Sequence, residues 1–177
     1  MEHAGDTVAG PSGRFRIMTS AQVRLDPMTE AEFQAYFKHM VVKYAASNVT
    51  SGNWTAEEAE AKSAENLAVL LPDGLATKDT RLCLARDAAS GDRVGIFWLN
   101  LRPHGTETAA FVYDIEVDAG LRGRGYGRAV MLAGTDLARE LGSVRIGLHV
   151  FAYNKPAIAL YTSLGFATTD LVMSLPL

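Results

Sequence analysis

The first helical pattern of the chain follows a capping box at Thr29–Glu32. In this motif a hydroxyl and a carboxylate three residues apart each accept a backbone N–H of the first helical turn. Apolar residues then recur at helical spacing from Phe33 to Tyr44. This pattern predicts an amphipathic helix over about residues 30–46.

A second helix is predicted by the same signature at Thr55–Glu58. Its pattern stops near Leu71, directly before Pro72, because proline cannot continue a helix. The polar segment Ser47–Trp54 between the two patterns is expected to be a loop.

Strand patterns occupy the middle of the chain. Residues alternate between two faces over Arg81–Arg86, and the sequence Ser90–Asp92 is typical of a turn. Val94–Leu101 completes the predicted hairpin, and Phe111–Val117 follows as a third strand with a period of two residues.

The last part of the chain alternates helices and strands. Gly125–Leu141 predicts a helix, Val144–Phe151 a strand, Pro156–Leu164 a short helix and Phe166–Leu175 a final strand. Helices first, then a meander, then alternating elements indicate an α/β or α+β fold with a mixed sheet.

Composition and charge narrow the class of protein. The chain has 177 residues, 48% of them hydrophobic and 21% charged, as in ordinary globular domains that need no disulfide or metal to fold. Seventeen basic against 20 acidic residues give a net charge of −3, which argues against a broad basic surface for nucleic acid. The single Cys83 excludes a disulfide within the chain and a Cys-based zinc site.

We therefore expect a soluble, cytoplasmic protein with no metal, nucleic-acid or membrane partner. No apolar stretch approaches the about 20 residues of a membrane span, and the N-terminus does not resemble a secretory signal. Residues 1–20, rich in glycine and without apolar periodicity, are predicted to form a flexible leader. Residues 21–177 are predicted to form one domain.

The segment Arg122–Arg128 contains three glycines between a predicted strand and a predicted helix. Glycine lets a ligand approach the backbone, and the N–H groups of a first helical turn bind anions. Between Ala119 and Thr135 there are three arginines and no acidic residue, although the chain is net negative. This local charge indicates a small anionic ligand and makes a simple glycine-rich turn the weaker alternative.

Two common phosphate motifs do not fit this segment. No Gly-Lys-Ser or Gly-Lys-Thr follows the glycines, so the Walker pattern is absent. The third glycine of the dinucleotide fingerprint is replaced by Arg128 or Val130, depending on where the pattern starts. The spacing Arg122-x-x-Gly125-x-Gly127 instead resembles the acyl-CoA loop of the Gcn5-related N-acetyltransferases, or GNAT superfamily.

The resemblance extends over about residues 93–175. Tyr113–Asp118 is similar to the central strand of that family, whose backbone pairs with the pantetheine arm, and His149–Ala157 with Leu160–Phe166 is similar to its closing motif. The resemblance implies a mixed, mostly antiparallel central sheet with helices on both faces.

The same resemblance implies acetyl-CoA as co-substrate. It assigns backbone contacts with the pantetheine to Ile115 and Val117, and a side-chain contact to Asn154. It assigns the pyrophosphate to the glycine-rich loop, formed by Arg122, Gly123, Arg124, Gly125, Tyr126, Gly127 and Arg128.

The resemblance also makes Tyr161 the candidate general acid, because a phenol with a pKa near 10 can protonate a departing thiolate. The alternative is a packed ring with its hydroxyl at the surface. Alternation predicts that Asp114 and Glu116 share one face of their strand, opposite Tyr113, Ile115 and Val117. Two carboxylates on a central strand indicate a wet cleft that favours a cationic amine.

Glu116 is therefore the candidate general base, directly or through water, with an anchor for the acceptor or a solvated charge as alternatives. His149 is a second candidate base, although it is as well explained as a structural residue. Trp54 and Trp98 are candidates for either the acceptor site or the core. Cys83, between two leucines, is expected in the core and not as a nucleophile.

These observations predict an N-acetyltransferase that moves the acetyl group of acetyl-CoA to a primary amine by direct attack, without an acyl-enzyme. A transferase of longer acyl groups, a non-catalytic acyl-CoA sensor and a nucleotide-binding regulatory module are the alternatives. The identity of the amine, the base, the acyl length and the oligomeric state, monomer or homodimer, stay open. In the family the acceptor is set by loops that correspond here to Ser47–Trp54, Pro103–Thr106 and Ala167–Leu171.

Overall fold

A computed structural model describes residues 21–173 and 175, so the predicted leader at 1–20 lies outside the described residues. The fold consists of five strands and four α-helices within that range, with two short 3-10 turns. In chain order they are β1 (Val23–Pro27), α1 (Glu30–Thr50), α2 (Ala59–Leu70), β2 (Thr80–Asp87), β3 (Arg93–His104), β4 (Glu107–Val117), α3 (Tyr126–Glu140), β5 (Ser143–Leu148) and α4 (Lys155–Ser163).

The five strands form one mixed sheet in the order β1-β2-β3-β4-β5. The first four strands are antiparallel to their neighbours, and β5 joins β4 in parallel. A parallel neighbour requires a crossover connection, which α3 supplies. The mixed, mostly antiparallel sheet expected from the sequence is confirmed.

Helices cover both faces of the sheet, because the central strand β3 is apolar on both. Ile96 and Trp98 pack into the core under α1 and α2, whereas Phe97 and Leu99 pack into the core under α3. All four are at most 2% exposed. The second core is tight at Gly134 of α3, where a Cβ would lie 2.1 Å from Phe97 Cζ.

The first two helices differ from their predicted bounds. The capping box of α1 forms as expected, with the Glu32 N–H donating to Thr29 Oγ1 and the Thr29 N–H donating to Glu32 Oε2. Helix α1 continues to Thr50, beyond the predicted end near residue 46. The predicted second box forms only half, since the Thr55 N–H donates to Glu58 Oε1 but Thr55 does not cap, and α2 begins four residues later.

Two strand predictions need correction, and one strand of the sheet was not predicted. No sequence pattern indicates β1, whose five residues pair with β2. The strand predicted at Phe166–Leu175 is wrong, because residues 166–173 and 175 belong to no strand and pair with none of the five. Strand β5 ends at Leu148, so His149–Phe151 leave the sheet. None of the helices in the described range has the length and apolar character of a membrane span.

Candidate active site

The sheet opens between β4 and β5. Their pairing ends at Val112 and Leu148, but β4 continues to Val117 without a partner on that side. A cavity of about 460 Å³ lies at this opening, bounded by Val112–Ile115 of β4, by Leu148–Phe151, by Tyr161 of α4 and by residues of α1 and α2. The cavity therefore borders an unpaired strand edge.

Backbone alternation identifies the residues of β4 whose N–H and C=O groups have no strand partner at this edge. The N–H of Asp118 donates to the Val94 carbonyl of β3, so residues of the same parity face β3. The backbone N–H and C=O groups of Ile115 and Val117 consequently point towards the opening and not towards β3. The Val117 carbonyl accepts a hydrogen bond from Arg122 Nε at 3.1 Å. The glycine-rich loop is thus tied to the end of the open edge.

A β-bulge at Tyr113 changes which residues share a face. Trp98 of β3 pairs with Asp114 and the next residue, Leu99, pairs with Val112, so Tyr113 is the extra residue. The Tyr113 ring stacks on Trp98 at 4.6 Å between centroids, on the side of α1. The expectation that Tyr113 faces the same side as Ile115 is therefore wrong.

The loop before α3 depends on glycines in the left-handed region. Gly123 has φ +74° and Gly125 has φ +89°, and no atom crowds Gly123. Gly125 is the N-cap of α3 and has no side chain to accept the first-turn N–H groups. Arg122 and Arg124 are exposed beside these N–H groups. This arrangement fits an anion, as predicted for the pyrophosphate.

The remaining loop residues point their side chains elsewhere. Tyr126 donates its hydroxyl to Asp87 Oδ2 at 2.7 Å, and Arg128 donates to Ser163 Oγ of α4. A Cβ on Gly127 would lie 3.2 Å from Leu160 Cδ2 of α4. Tyr126 and Arg128 therefore brace the loop through their side chains, and Gly127 permits the contact between α3 and α4.

Tyr161 of α4 and Asn154, the N-cap of that helix, both line the cavity. The Tyr161 hydroxyl makes no hydrogen bond to the described residues, and its ring packs against Phe166. Burial and the nearby Asp114 carboxylate raise the pKa of Tyr161, which keeps the phenol protonated. Asn154 Oδ1 accepts the Ala157 N–H and so caps α4.

The two carboxylates of β4 meet a lysine from α1. Lys43 Nζ lies 2.7 Å from Asp114 Oδ1 and 2.7 Å from Glu116 Oε2. Tyr36 donates to Asp114 Oδ2 at 3.3 Å, and His39 Nε2 lies 3.1 Å from Glu116 Oε2. A cleft does lie against this face, as predicted, but Asp114 is buried in its wall and the Lys43 ammonium neutralises much of the negative charge.

Electrostatics keep Glu116 ionised. Burial raises the pKa of Glu116, but hydrogen bonds and charges from Lys43 and His39 outweigh it and hold the pKa below the ordinary 4.5. Burial lowers the pKa of Lys43, and the two carboxylates outweigh it in the same way, so the lysine stays charged. Asp114 and Lys43 line the cavity, whereas Glu116 is not one of its lining residues.

The other candidate residues divide between the cavity and the core. His149 lines the cavity beyond the end of β5, exposed and edge-on to Phe151. Trp98 lines the cavity floor at 1% exposure, whereas Trp54 packs edge-on to Tyr44. Cys83 is buried, as predicted, and burial raises the pKa of its thiol to about 11.

Sequence reasoning did not find Lys43, Tyr36 or His39. A signal was present, since Tyr36, Met40 and Lys43 follow each other at steps of four and three residues along the buried stripe of α1. A lysine on such a stripe requires an acidic partner or a route to solvent. The partner lies 71 residues away on β4, so only the tertiary structure identifies it.

Comparison with known proteins agrees with this geometry. Residues 44–166 match the family model described as the acetyltransferase (GNAT) family. The uncharacterized N-acetyltransferase YycN of Bacillus subtilis (strain 168) is 36% identical over 152 residues, which cover 86% of this chain and 97% of YycN. The chain belongs to the GNAT family and is an acetyltransferase of that family.

Two solved structures and one further relative are also similar to this chain. The crystal structure of YycN superposes with a TM-score of 0.83 at 35% identity, covering 88% of this chain and 99% of that one. A structure from Pyrococcus furiosus, at 22% identity and a TM-score of 0.64, shares the fold. A mycothiol acetyltransferase of Nocardia farcinica (strain IFM 10152) is 35% identical over 117 residues, but this chain spans only 36% of it.

Proposed function

We propose that the chain transfers the acetyl group of acetyl-CoA to a primary amine by direct attack of the amine on the thioester, as a cytoplasmic acyltransferase. The observation that carries this proposal is the unpaired edge of β4 beside the cavity, with the anion-binding loop at its end. The family membership and the N-acetyltransferase relatives support the same activity.

In this proposal the backbone of Ile115 and Val117 pairs with the pantetheine, as an added strand would. The first-turn N–H groups of α3, with Arg122 and Arg124, bind the pyrophosphate. Asn154, whose Oδ1 is engaged in capping α4, has its Nδ2 available for the cofactor arm. The binding groups are thus neutral along the edge of β4, where the pantetheine would lie, and positively charged at the loop, where the pyrophosphate would bind.

The chemical step needs a proton acceptor for the amine and a proton donor for the thiolate. The attacking nitrogen forms the amide bond as the carbon–sulfur bond breaks. Tyr161, held protonated in the cavity wall, gives its proton to the sulfur, and the second proton of the nitrogen, released as the amide forms, restores the phenol. Glu116 takes the ammonium proton through water, because it is not one of the residues that line the cavity.

Ligand binding is tested first. Acetyl-CoA at about 100 times its Kd should stabilise the fold by about 2.7 kcal/mol and raise Tm by roughly 5–10 °C. ATP and NAD are the controls, because neither carries the pantetheine that would pair with Ile115 and Val117. An equal rise with ATP would favour a nucleotide-binding module.

Transfer is tested by thiol release over a panel of primary amines. Tyr161→Phe should leave the Kd for acetyl-CoA nearly unchanged and lower kcat by about 10²–10⁴-fold. Tyr153→Phe is the matched control, since Tyr153 also lines the cavity but is 51% exposed. Binding without release for every amine would indicate a sensor, and a higher kcat/KM with butyryl-CoA would indicate a longer acyl group.

A further inference from the structure

The ammonium of Lys43 occupies the place where a cationic acceptor would find carboxylates. Its Nζ lies 2.7 Å from an oxygen of each of Asp114 and Glu116. The Lys43 ammonium offsets one of the two carboxylate charges. A cationic acceptor therefore encounters two carboxylates that are already paired with the Lys43 ammonium.

Several contacts hold this arrangement in place. The Asp114 side chain is 7% exposed, and its second oxygen accepts the buried Tyr36 hydroxyl. The same oxygen of Glu116 that meets Lys43 also meets His39 at 3.1 Å. Lys43 is one-third exposed and lines the cavity. Displacing it would leave the buried Asp114 without its cation, which is costly.

The rest of the cavity offers little for a second positive charge. Asp114 is its only acidic lining residue among those described, and Asn48 and Asn53 are neutral amides. Phe111 is an aromatic wall, and the Arg102 guanidinium stacks 3.9 Å from its centroid. That face of the Phe111 ring is therefore already occupied by a cation of this chain.

We propose that Lys43 is a specificity-determining residue that restricts the acceptor to amines with one positive charge and an apolar body, and disfavours diamines and polyamines. The inference deepens the proposed function and rests on it for the identity of the acceptor site. It also corrects the expectation that the carboxylates attract a cationic amine through an open pair.

The test compares two isosteric amines, heptylamine and hexamethylenediamine, which differ only in a terminal methyl or ammonium group. Their Kd values are measured by titration of the complex with CoA at about pH 8, so that the result does not depend on turnover. Their kcat/KM values are measured in parallel. The wild type should bind heptylamine more tightly.

Two variants change the charge of the cluster in opposite directions. Lys43→Gln makes the cluster more negative by one charge, and the affinity for the diamine relative to that for heptylamine should rise by about tenfold. Glu116→Gln removes one negative charge and should shift the ratio the other way. Lys38→Gln, on the exposed side of α1, makes the same change in total charge away from the cluster and should leave the ratio unchanged.

Opposite shifts cannot come from general damage to the fold, and Glu116→Gln still tests the proposal if Lys43→Gln does not fold. The proposal is overturned if the wild type prefers the diamine, if neither amine binds, if no variant changes the ratio, or if both change it in the same direction. Binding with the expected preference but no acetylation would refute the proposed function and leave this inference standing.

Discussion

Replacement of Gly134 by alanine tests how tightly α3 packs on the sheet. A Cβ at this position would lie 2.1, 2.5 and 2.7 Å from three ring carbons of Phe97. Contacts this short require movement, and the Phe97 ring is fully buried within the core under α3. The helix must therefore move away from β3, or the ring must leave its rotamer.

The expected cost follows from two opposing contributions. Alanine is favoured over glycine by about 1 kcal/mol inside a helix. Overpacking of a dense core costs about 1–3 kcal/mol and sometimes more. Because three ring atoms are overlapped, the upper end applies, and Gly134→Ala should lower the free energy of unfolding by about 2 kcal/mol. Tm should fall by roughly 4–8 °C for a chain of this length.

Urea denaturation followed by circular dichroism gives the free energy, with Gly120→Ala as the matched control. A Cβ added at Gly120 would have no atom within 4 Å, and this residue has no positive φ, so its substitution should be neutral or slightly stabilising. Phe97→Leu combined with Gly134→Ala should cost less than the two single changes added together, because the smaller side chain relieves the overlap. A Gly134→Ala protein as stable as wild type would refute the packing argument.

Other predictions concern the loop and the charge cluster. Gly125→Ala should cost about 1–2 kcal/mol from its left-handed φ and weaken acetyl-CoA binding measured by calorimetry. Gly127→Val should push Leu160 and α4 outwards, lowering Tm and kcat together; a fall in cofactor affinity alone would instead place a phosphate at this Cβ. Because the pKa of Glu116 is lowered in the folded state, its ionised carboxylate stabilises the fold above pH 4.5. This stabilisation is lost as the pH falls through the folded-state pKa, so the stability advantage of wild type over Glu116→Gln should shrink during acid titration.

Local signals predict most of the fold. The capping box at Thr29 and the alternation along β3 act over a few residues, and both elements form where these signals lie. Strand β1 escapes prediction because its five residues, Val23–Pro27, are too few to show a period and are stabilised by pairing with β2. The apolar alternation near Leu171 and Met173 is typical of a strand. The two residues are nevertheless 81% and 90% exposed, and their backbone pairs with none of the five strands.

The candidate site is predictable where one contiguous motif defines it. The loop around Gly125 and the segment from Asn154 to Tyr161 can each be recognised, because the residues of each motif lie close in sequence and their spacing is distinctive. The bulge at Tyr113 and the role of Lys43 depend on contacts between distant segments. Alternation assumes an unbroken pleat, so one extra residue is enough to move a side chain to the other face.

The open edge of β4 also determines what else this protein can pair with. Unpaired strand edges invite strands of other chains, which leads to aggregation. Here the edge lies within the cavity between β5 and α4. A peptide strand would bring side chains to both faces of the edge, where Phe151 and Tyr161 line the cavity. An unbranched chain without side chains needs less room beside these two rings than a polypeptide strand does, so the walls that shape the cleft also hinder edge pairing with another chain.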